Sequence, residues 1–181
     1  MNLTQSRTKE SPVTMLAIVL GLSLLFGLVA QIAIPLPFTQ VPISFTSHFI
    51  LMSAVFFGRK GAYATLAYLI EGAMGFPVFS NGGGGIPYML GPTGGYLVGF
   101  LMASFAIAYL VEQFKDKNPS KIFALMLSGN VLIYVFGIPY LAFLIGWQKA
   151  LLYGLYPFIA GDLLKLMLAH KGLKALKYFG K

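Results

Sequence analysis

The sequence predicts an all-α membrane protein with six transmembrane helices in one bundle. Of its 181 residues, 57% are hydrophobic and only 10% are charged, against roughly 25% charged residues in an ordinary soluble domain. Six apolar runs approach the roughly 20 residues that a helix needs to cross the hydrocarbon core. The remaining residues suffice for short connections and tails. We therefore expect residues 1–181 to form a single integral membrane domain surrounded by lipid.

The apolar runs set the bounds of the predicted helices. The second extends back toward Ile43, and the fourth starts near Thr93. The third and sixth carry ionisable residues, which are costly at membrane depth. The predicted spans are Thr14–Ile34, Thr46–Phe57, Ala62–Phe76, Tyr96–Val111, Ile122–Ile145 and Ala150–Ala169.

The lysine and arginine residues predict the orientation. Eleven of the thirteen fall on one side if the six helices alternate, and the other side carries Lys149 alone. Such a bias marks the cytoplasmic side, so we expect a multi-pass plasma-membrane protein with both termini in the cytoplasm. No separate signal peptide is expected, because the first apolar run is too long for one. The net charge of +8 then reflects topology, and no nucleic-acid partner is expected.

The composition also limits the chemistry. Cysteine is absent, which excludes disulfides and thiolate metal sites. The two histidines, His48 and His170, lie far apart in the sequence. No phosphate-loop pattern occurs. We therefore expect no metal and no cofactor held by this chain itself.

Two uncharged, non-helical segments connect predicted spans on the outward side. Residues 34–42 contain three prolines, and residues 77–87 contain four consecutive glycines. Non-helical backbone near membrane depth is tolerated where it lines a cavity, so these segments predict a cover over an outward-facing ligand pocket. Compact connectors packed on the helix ends are the alternative. At Gly82 the backbone can approach a ligand closely, and Asn81 before it adds an amide or serves as a turn residue of positive φ.

Asp162 and Lys165 are the strongest candidates for ligand contacts. They lie three residues apart and share one helix face. A charge at mid-bilayer costs about 2.5–3.5 kcal/mol on insertion scales, so this face predicts a ligand site with one acceptor and one cation. An internally neutralised pair is the alternative. At the fourth helix, Thr93 is a candidate N-cap, and the N–H groups near Thr93 and Gly94 form a possible anion site or a plain helix start.

The remaining polar and small residues favour structural roles. We expect Glu71 to reach the membrane interface, Asn130 to form an interhelical hydrogen bond, and His48 to be a packed polar residue. Ala17 and Gly21 form a small-xxx-small pair on the first helix. This pair indicates close packing within the bundle or a docking face for another membrane protein.

Three motifs, in order, resemble the BioY family of biotin-specific substrate-binding (S) subunits of energy-coupling factor (ECF) transporters. They are IPLPFTQVP at residues 34–42, GPTGGY at residues 91–96 and GxxPFxxGDxxK at residues 154–165. The resemblance covers nearly the whole chain. Gln40 stands where proline is expected, and Thr46 where glutamine is common.

The resemblance implies biotin bound beneath the first and third loops. It also implies two kinds of partner, namely a transmembrane coupling subunit and a pair of ABC-type ATPases that use ATP. Asp162 would then accept the ureido N–H groups, Asn81 would meet the same ring, and Lys165 would pair with the carboxylate. Ala17 and Gly21 would belong to the docking face.

Two other functions are considered. A self-sufficient biotin facilitator or small-carboxylate carrier would transport without partners. An intramembrane enzyme would need a nucleophile and a base, for which Ser128 and His48 are the nearest candidates, and no motif links them.

Overall fold

The computed structural model describes residues 11–37, 39–113, 118–159, 161–162, 166–167 and 171. This part of the chain is mostly helical, with one two-stranded sheet and a 3₁₀ turn at Ser80–Gly82. The elements are α1 (Pro12–Gln31), β1 (Ala33–Leu36), β2 (Thr39–Ser44), α2 (Thr46–Phe57), α3 (Arg59–Ala73), α4 (Ile86–Met89), α5 (Gly94–Gln113), α6 (Pro119–Ile145) and α7 (Trp147–Gly154).

Local signals start two of the long helices. Ser11 caps α1 by accepting a hydrogen bond from the Thr14 N–H at 3.2 Å, and Pro12 follows it. Asn118 caps α6 by accepting from the Ser120 N–H at 3.2 Å, again followed by a proline. A polar cap before proline suits the first turn, where free N–H groups need acceptors and proline has none to lose. The predicted start of α6, at Ile122, is three residues late.

Among the described residues, α1, α5 and α6 are long and apolar enough to cross a membrane. The apolar helix α2 has 12 residues and α3 has 15. Gly58, with φ of 57°, ends α2 and starts α3. A positive φ of this kind favours glycine, so the two helices reverse direction within a single residue.

The α5–α6 pair packs closely through glycines. A Cβ on Gly95 would lie 2.4 Å from the Tyr140 Cβ, and one on Gly99 would lie 2.8 Å from the Ile133 Cα. The two glycines are four residues apart and share one helix face. Larger residues there would push α6 away from α5, so these glycines fix the position of α6 beside the cavity described below.

The first connection is a β-hairpin, which the sequence did not predict. β1 and β2 pair antiparallel, with Ala33 opposite Ser44 and Ile34 opposite Ile43. The predicted first span, ending at Ile34, is therefore too long, because α1 ends at Gln31. The prolines are tolerated because each strand of a two-stranded sheet has an unpaired edge. The all-α prediction is corrected to a mostly helical fold with one hairpin.

The predicted sixth span, Ala150–Ala169, is interrupted. α7 ends at Gly154, Leu155 has φ −121° and ψ −62°, and residues 156–159 are helical again. Pro157 lacks an N–H and cannot continue the helical ladder. The Phe158 N–H donates to the Leu155 carbonyl, and the Gly154 carbonyl accepts instead from the Tyr96 hydroxyl at 2.9 Å.

Candidate functional site

A cavity lies between the hairpin, the segment that connects α3 to α5, and the helices beneath both. β2 contributes Val41 and Pro42, and the chain between α3 and α5 contributes Phe79, Ser80 and Tyr88. The cavity has a volume of about 80 Å³, smaller than the roughly 300–1,000 Å³ of most ligand pockets. Both non-helical segments singled out in the sequence thus line one cavity.

The polar wall of the cavity centres on Asp162. Its Oδ2 accepts a hydrogen bond from the Tyr134 hydroxyl at 2.5 Å. Its Oδ1 lies 4.0 Å from Nε2 of His48, which is 5% exposed. Tyr134 thus holds the carboxylate in place on the cavity wall, where an ionised carboxylate accepts hydrogen bonds from N–H donors. Tyr134 and His48 were not predicted as parts of this site, because they lie far from Asp162 in sequence.

Lys165, the predicted partner of Asp162, lies outside the described residues. The proposed acid–base pair on one helix face therefore stays a prediction. What the structure shows is that Asp162 borders a cavity, as a ligand-binding carboxylate must.

Aromatic rings form another part of the cavity lining. The rings of Tyr68 and Phe79 meet edge to face with centroids 5.4 Å apart, and those of Phe79 and Tyr88 stack at 5.1 Å. Phe79 is 1% exposed, and its ring packs against Gly72, where a Cβ would lie only 2.0 Å from it. Burial raises the pKa of the Tyr88 hydroxyl. This side of the cavity is therefore uncharged at neutral pH and suits an apolar ring.

Gln31, at the end of α1, holds the glycine-rich segment (residues 77–87). Its Nε2 donates to the carbonyls of Pro77 at 3.3 Å and Phe79 at 3.2 Å. Its Oε1 accepts from the Gly82 N–H at 2.9 Å. One side chain thus binds backbone groups before and within the 3₁₀ turn. A polar residue at the end of an apolar helix was the only sequence signal for this role.

Of the other predicted site residues, only Thr93 lines the cavity. It directly precedes α5, and its carbonyl accepts from the Leu97 N–H. Asn81 is exposed and has φ of 59°, and Gly82 has φ of 70°. Gly94 is buried beneath the carbonyl of Met89. Asn81 thus occupies the positive-φ turn position that was its alternative role.

Asn130 also lines the cavity. It is 4% exposed, and its Nδ2 has no hydrogen-bond partner among the described residues. The predicted interhelical hydrogen bond is therefore not formed by this donor.

Glu71 does not extend to the interface as predicted. Its Oε1 accepts from the Ser23 hydroxyl at 2.8 Å, joining α3 to α1. Its Oε2 is buried and has no hydrogen-bond partner among the described residues. The short serine side chain of α1 meets the carboxyl within the protein, so the side chain need not reach toward water.

The small residues of α1 separate into two groups. Ala17 and Gly21 are exposed, and a Cβ on Gly21 would meet nothing within 4 Å. Ala30 is fully buried, and Gly27 packs against Val78. The Ala17–Gly21 face is therefore not used for packing among the described residues.

These features define a helical membrane protein with a cavity for a small ligand that has polar and apolar parts. The described residues contain no group of three or more His, Asp or Glu side chains placed to hold a metal ion. The only acid on the cavity wall among them, Asp162, is held by a tyrosine hydroxyl.

Comparison with known proteins identifies the family. The chain matches the BioY family over residues 3–179 and belongs to it. It is 38% identical over 138 residues to a biotin transporter BioY of Thermotoga maritima, covering 75% of this chain and 80% of the relative. It is 38% identical over 146 residues to a biotin transporter BioY of Rhizobium etli, with 75% and 78% covered.

A solved structure has the same fold. The crystal structure of the S-component for biotin from an ECF-type ABC transporter superposes with a TM-score of 0.80 and 26% identity, and 92% of each chain is covered. The family predicted from the three motifs is thus confirmed. The relatives are transporters, so the prediction of a non-enzymatic chain is confirmed too.

Proposed function

We propose that this chain is the biotin-binding subunit of an ATP-driven vitamin importer and captures biotin from outside the cell. The observation that carries the proposal is the cavity itself. A half-buried carboxylate and stacked aromatic rings line it together, in a chain whose relatives are biotin transporters.

Biotin matches the two walls. Its ureido ring has two N–H donors and one carbonyl, its thiophane ring is apolar, and its tail ends in a carboxylate. Asp162 accepts from the ureido N–H groups, and the stacked rings of Phe79 and Tyr88 cover the thiophane. Lys165 and the N–H groups near Thr93 hold the tail carboxylate, since a helix N-terminus favours negative charge.

The proposed topology has six membrane crossings in one integral domain, with both termini in the cytoplasm. Three helices of sufficient length support it, with α2, α3 and the chain from α7 onward as the remaining crossings. The eleven basic residues then lie on the cytoplasmic side of the plasma membrane. The hairpin and the glycine-rich segment lie on the outer side, where they cover the cavity.

The partners are a transmembrane coupling subunit and a pair of ABC-type ATPases. Those partners use ATP, and this chain needs no cofactor of its own. The coupling subunit docks on the exposed Ala17–Gly21 face of α1. Small residues support this assignment because they let a second helix approach closely within a membrane.

Calorimetric titration of the purified chain in detergent tests the proposal. Biotin should bind saturably without ATP, and a panel of other vitamins should give no comparable heat. Binding of another vitamin in place of biotin would contradict the assignment of the ligand.

Reconstitution separates capture from transport. Vesicles that contain this chain alone should not accumulate biotin, whereas vesicles that also contain the coupling subunit and the ATPases should do so on addition of ATP. Rapid biotin entry with the chain alone would instead support a self-sufficient facilitator.

A pair of matched substitutions tests the docking face. Ala17→Leu should abolish co-purification with the coupling subunit and leave biotin binding unchanged, since Ala17 is exposed on α1, away from the cavity lining. Ala124→Leu places the same bulk on an exposed position of α6 and should preserve the complex. Equal retention of the complex by both variants would place the docking face elsewhere.

A further inference from the structure

A second cavity lies beside the hairpin and shares no described lining residue with the main cavity, the one that Asp162 borders. Its volume is about 610 Å³, within the roughly 300–1,000 Å³ of ligand pockets. It is bounded by the turn of the hairpin, the chain before α5, the end of α6, and α7. We call it the lysine cavity, and its lining residues are Pro37, Thr39, Pro92, Leu141, Leu144, Ile145, Lys149 and Tyr153.

Lys149 is the only charged side chain in the described lining of the lysine cavity. It is exposed, and no carboxylate in the part of the chain that the structure describes forms an ion pair with it. Its ammonium group has three N–H donors and no acceptor. In the proposed topology it is also the one basic residue on the outer side. The cavity therefore presents an unpaired cation to an anion that arrives from outside.

Most of the remaining lining is apolar. Leu141, Leu144 and Ile145 are three and four residues apart, so they share one face of α6. On α7, Tyr153 follows Lys149 by four residues and lies on the same face, with the two Cβ atoms about 6 Å apart. An anionic group beside an apolar body suits this lining, and a carboxylate on a methylene chain has both.

The wall between the two cavities is thin. Pro92 lines the lysine cavity, and the next residue, Thr93, lines the main cavity, although consecutive Cα atoms are only about 3.8 Å apart. On β2, Thr39 lines the lysine cavity and Val41 the main cavity, and the Thr39 hydroxyl accepts a hydrogen bond from the Val41 N–H at 3.1 Å. A ligand in the lysine cavity is thus separated from the main cavity by one or two residues of chain.

We propose that the lysine cavity is an encounter site, in which the Lys149 ammonium group binds the carboxylate of the ligand before the ligand moves into the main cavity. The inference rests on the proposed function and adds a step to it. Attraction between opposite charges acts on the rate of association more than on affinity. Lys149 therefore speeds capture and does not contact the finally bound ligand, since it does not line the main cavity.

Stopped-flow measurement of biotin association in a nonionic detergent tests the inference. At about 0.01 M salt, Lys149→Ala should lower the association rate constant about fivefold, equivalent to about 1 kcal/mol, the Coulomb energy of two unit charges about 4 Å apart in water. Lys149→Glu should lower it further because it repels the carboxylate, and Lys149→Arg should stay within about twofold of wild type because it keeps the charge. The dissociation rate constant should change less than about twofold in all three variants.

Two further readouts separate the charge of Lys149 from its shape. At about 1 M salt the screening length falls to about 3 Å, from about 30 Å at 0.01 M, so wild type and Lys149→Ala should then associate with biotin at the same rate. The methyl ester of biotin has no charge on its tail. Its association at low salt should therefore be equal in wild type and Lys149→Ala.

Lys121→Ala is the matched control, because it removes the same charge from an exposed position in the first turn of α6. Lys121 precedes Ile145 by 24 residues, about 36 Å along the helix, so its loss should leave the association rate unchanged. Thermal unfolding of each variant confirms that it is folded.

Three results would overturn the inference: biotin association at the wild-type rate in both Lys149→Ala and Lys149→Glu, equal losses of rate for biotin and its methyl ester, or an effect confined to dissociation. Binding of biotin by the wild type would in each case leave the proposed function standing. Absence of that binding would refute both.

Discussion

The two sides of the cavity are built differently. On the non-helical side, β2 and the chain between α3 and α5 present apolar rings, and the side chain of Gln31 holds the backbone. On the helical side, Tyr134 of α6 and Asp162 present half-buried polar groups joined by a hydrogen bond. The difference separates two tasks. We expect the helical side to distinguish ligands by their hydrogen-bonding groups and the non-helical side to slow the release of a bound ligand.

The largest expected effect concerns the helical side. Asp162→Ala should weaken biotin binding by about 10- to 100-fold, because a hydrogen bond to a charged group contributes roughly 1.5–3 kcal/mol. Lys165→Ala should act in the same direction if Lys165 holds the tail carboxylate. Calorimetric titration measures both losses.

Glu112→Ala is the matched control for Asp162→Ala. Glu112 pairs with Arg59 at 2.9 Å at an exposed site away from the cavity lining, so its loss should leave the dissociation constant unchanged. Unchanged affinity in the Asp162 variant would remove the carboxylate from the site.

The next largest effect is expected from a substitution that disturbs the packing beneath the non-helical side. Gly72→Ala places a Cβ within 2.0 Å of the Phe79 ring, and overpacking of this kind costs about 1–3 kcal/mol. The free energy of unfolding in detergent should fall by that amount, and biotin affinity should fall with it. Gly21→Ala, where a Cβ meets nothing within 4 Å, should be as stable as wild type. Similar stability in both variants would contradict the packing of Phe79 against α3.

Loss of the hydrogen bonds from Gln31 to the glycine-rich segment should change the rate at which biotin dissociates. Gln31→Leu removes the bonds to the Phe79 carbonyl and the Gly82 N–H, so the dissociation rate of biotin should rise about tenfold, equivalent to roughly 1.4 kcal/mol. The association rate should change less. Stopped-flow displacement measures both rates, with Gln148→Leu, an exposed glutamine, as the control. A slower association rate with unchanged dissociation would assign Gln31 to ligand entry instead.

The smallest effect is expected away from the cavity. Ser23→Ala leaves the Glu71 carboxyl without its one hydrogen bond to α1 and should lower the free energy of unfolding by about 1 kcal/mol. Biotin affinity should not change. Ser128→Ala, in which the lost bond is to the carbonyl of Leu125 in its own helix, should cost less. A clear loss of biotin affinity in the Ser23 variant would connect this pair to the cavity.

Local patterns predicted much of the helical side. The apolar runs located α1, α5 and α6. The free-energy cost of placing a charge at membrane depth singled out Asp162. The helix break at Leu155 was missed because the residues on both sides of it are apolar and read as one continuous span. Pro157 was the one local signal for the break. The hairpin was missed because its prolines suggested a connection without strand pairing, whereas a two-stranded sheet leaves edges where proline is tolerated.

Contacts between residues that are distant in the sequence could not be predicted. Gln31 meets residues about 50 positions away, and Tyr134 meets Asp162 28 positions away. Whether such side chains meet depends on how helices cross. That crossing is set by close packing at positions such as Gly95 and Gly99, and not by any property of the paired residues themselves.

The sequence by itself determined the apolar helices, the family and one acid that lines the cavity, because hydrophobic burial and the cost of a charge in lipid act on single residues and short runs. Only the tertiary structure decided that Tyr134 and His48 lie beside Asp162, that Gln31 holds the glycine-rich segment, and that Asn130 lines the cavity. Those outcomes follow from helix packing, a property of the whole chain, which places groups from distant positions within hydrogen-bonding distance.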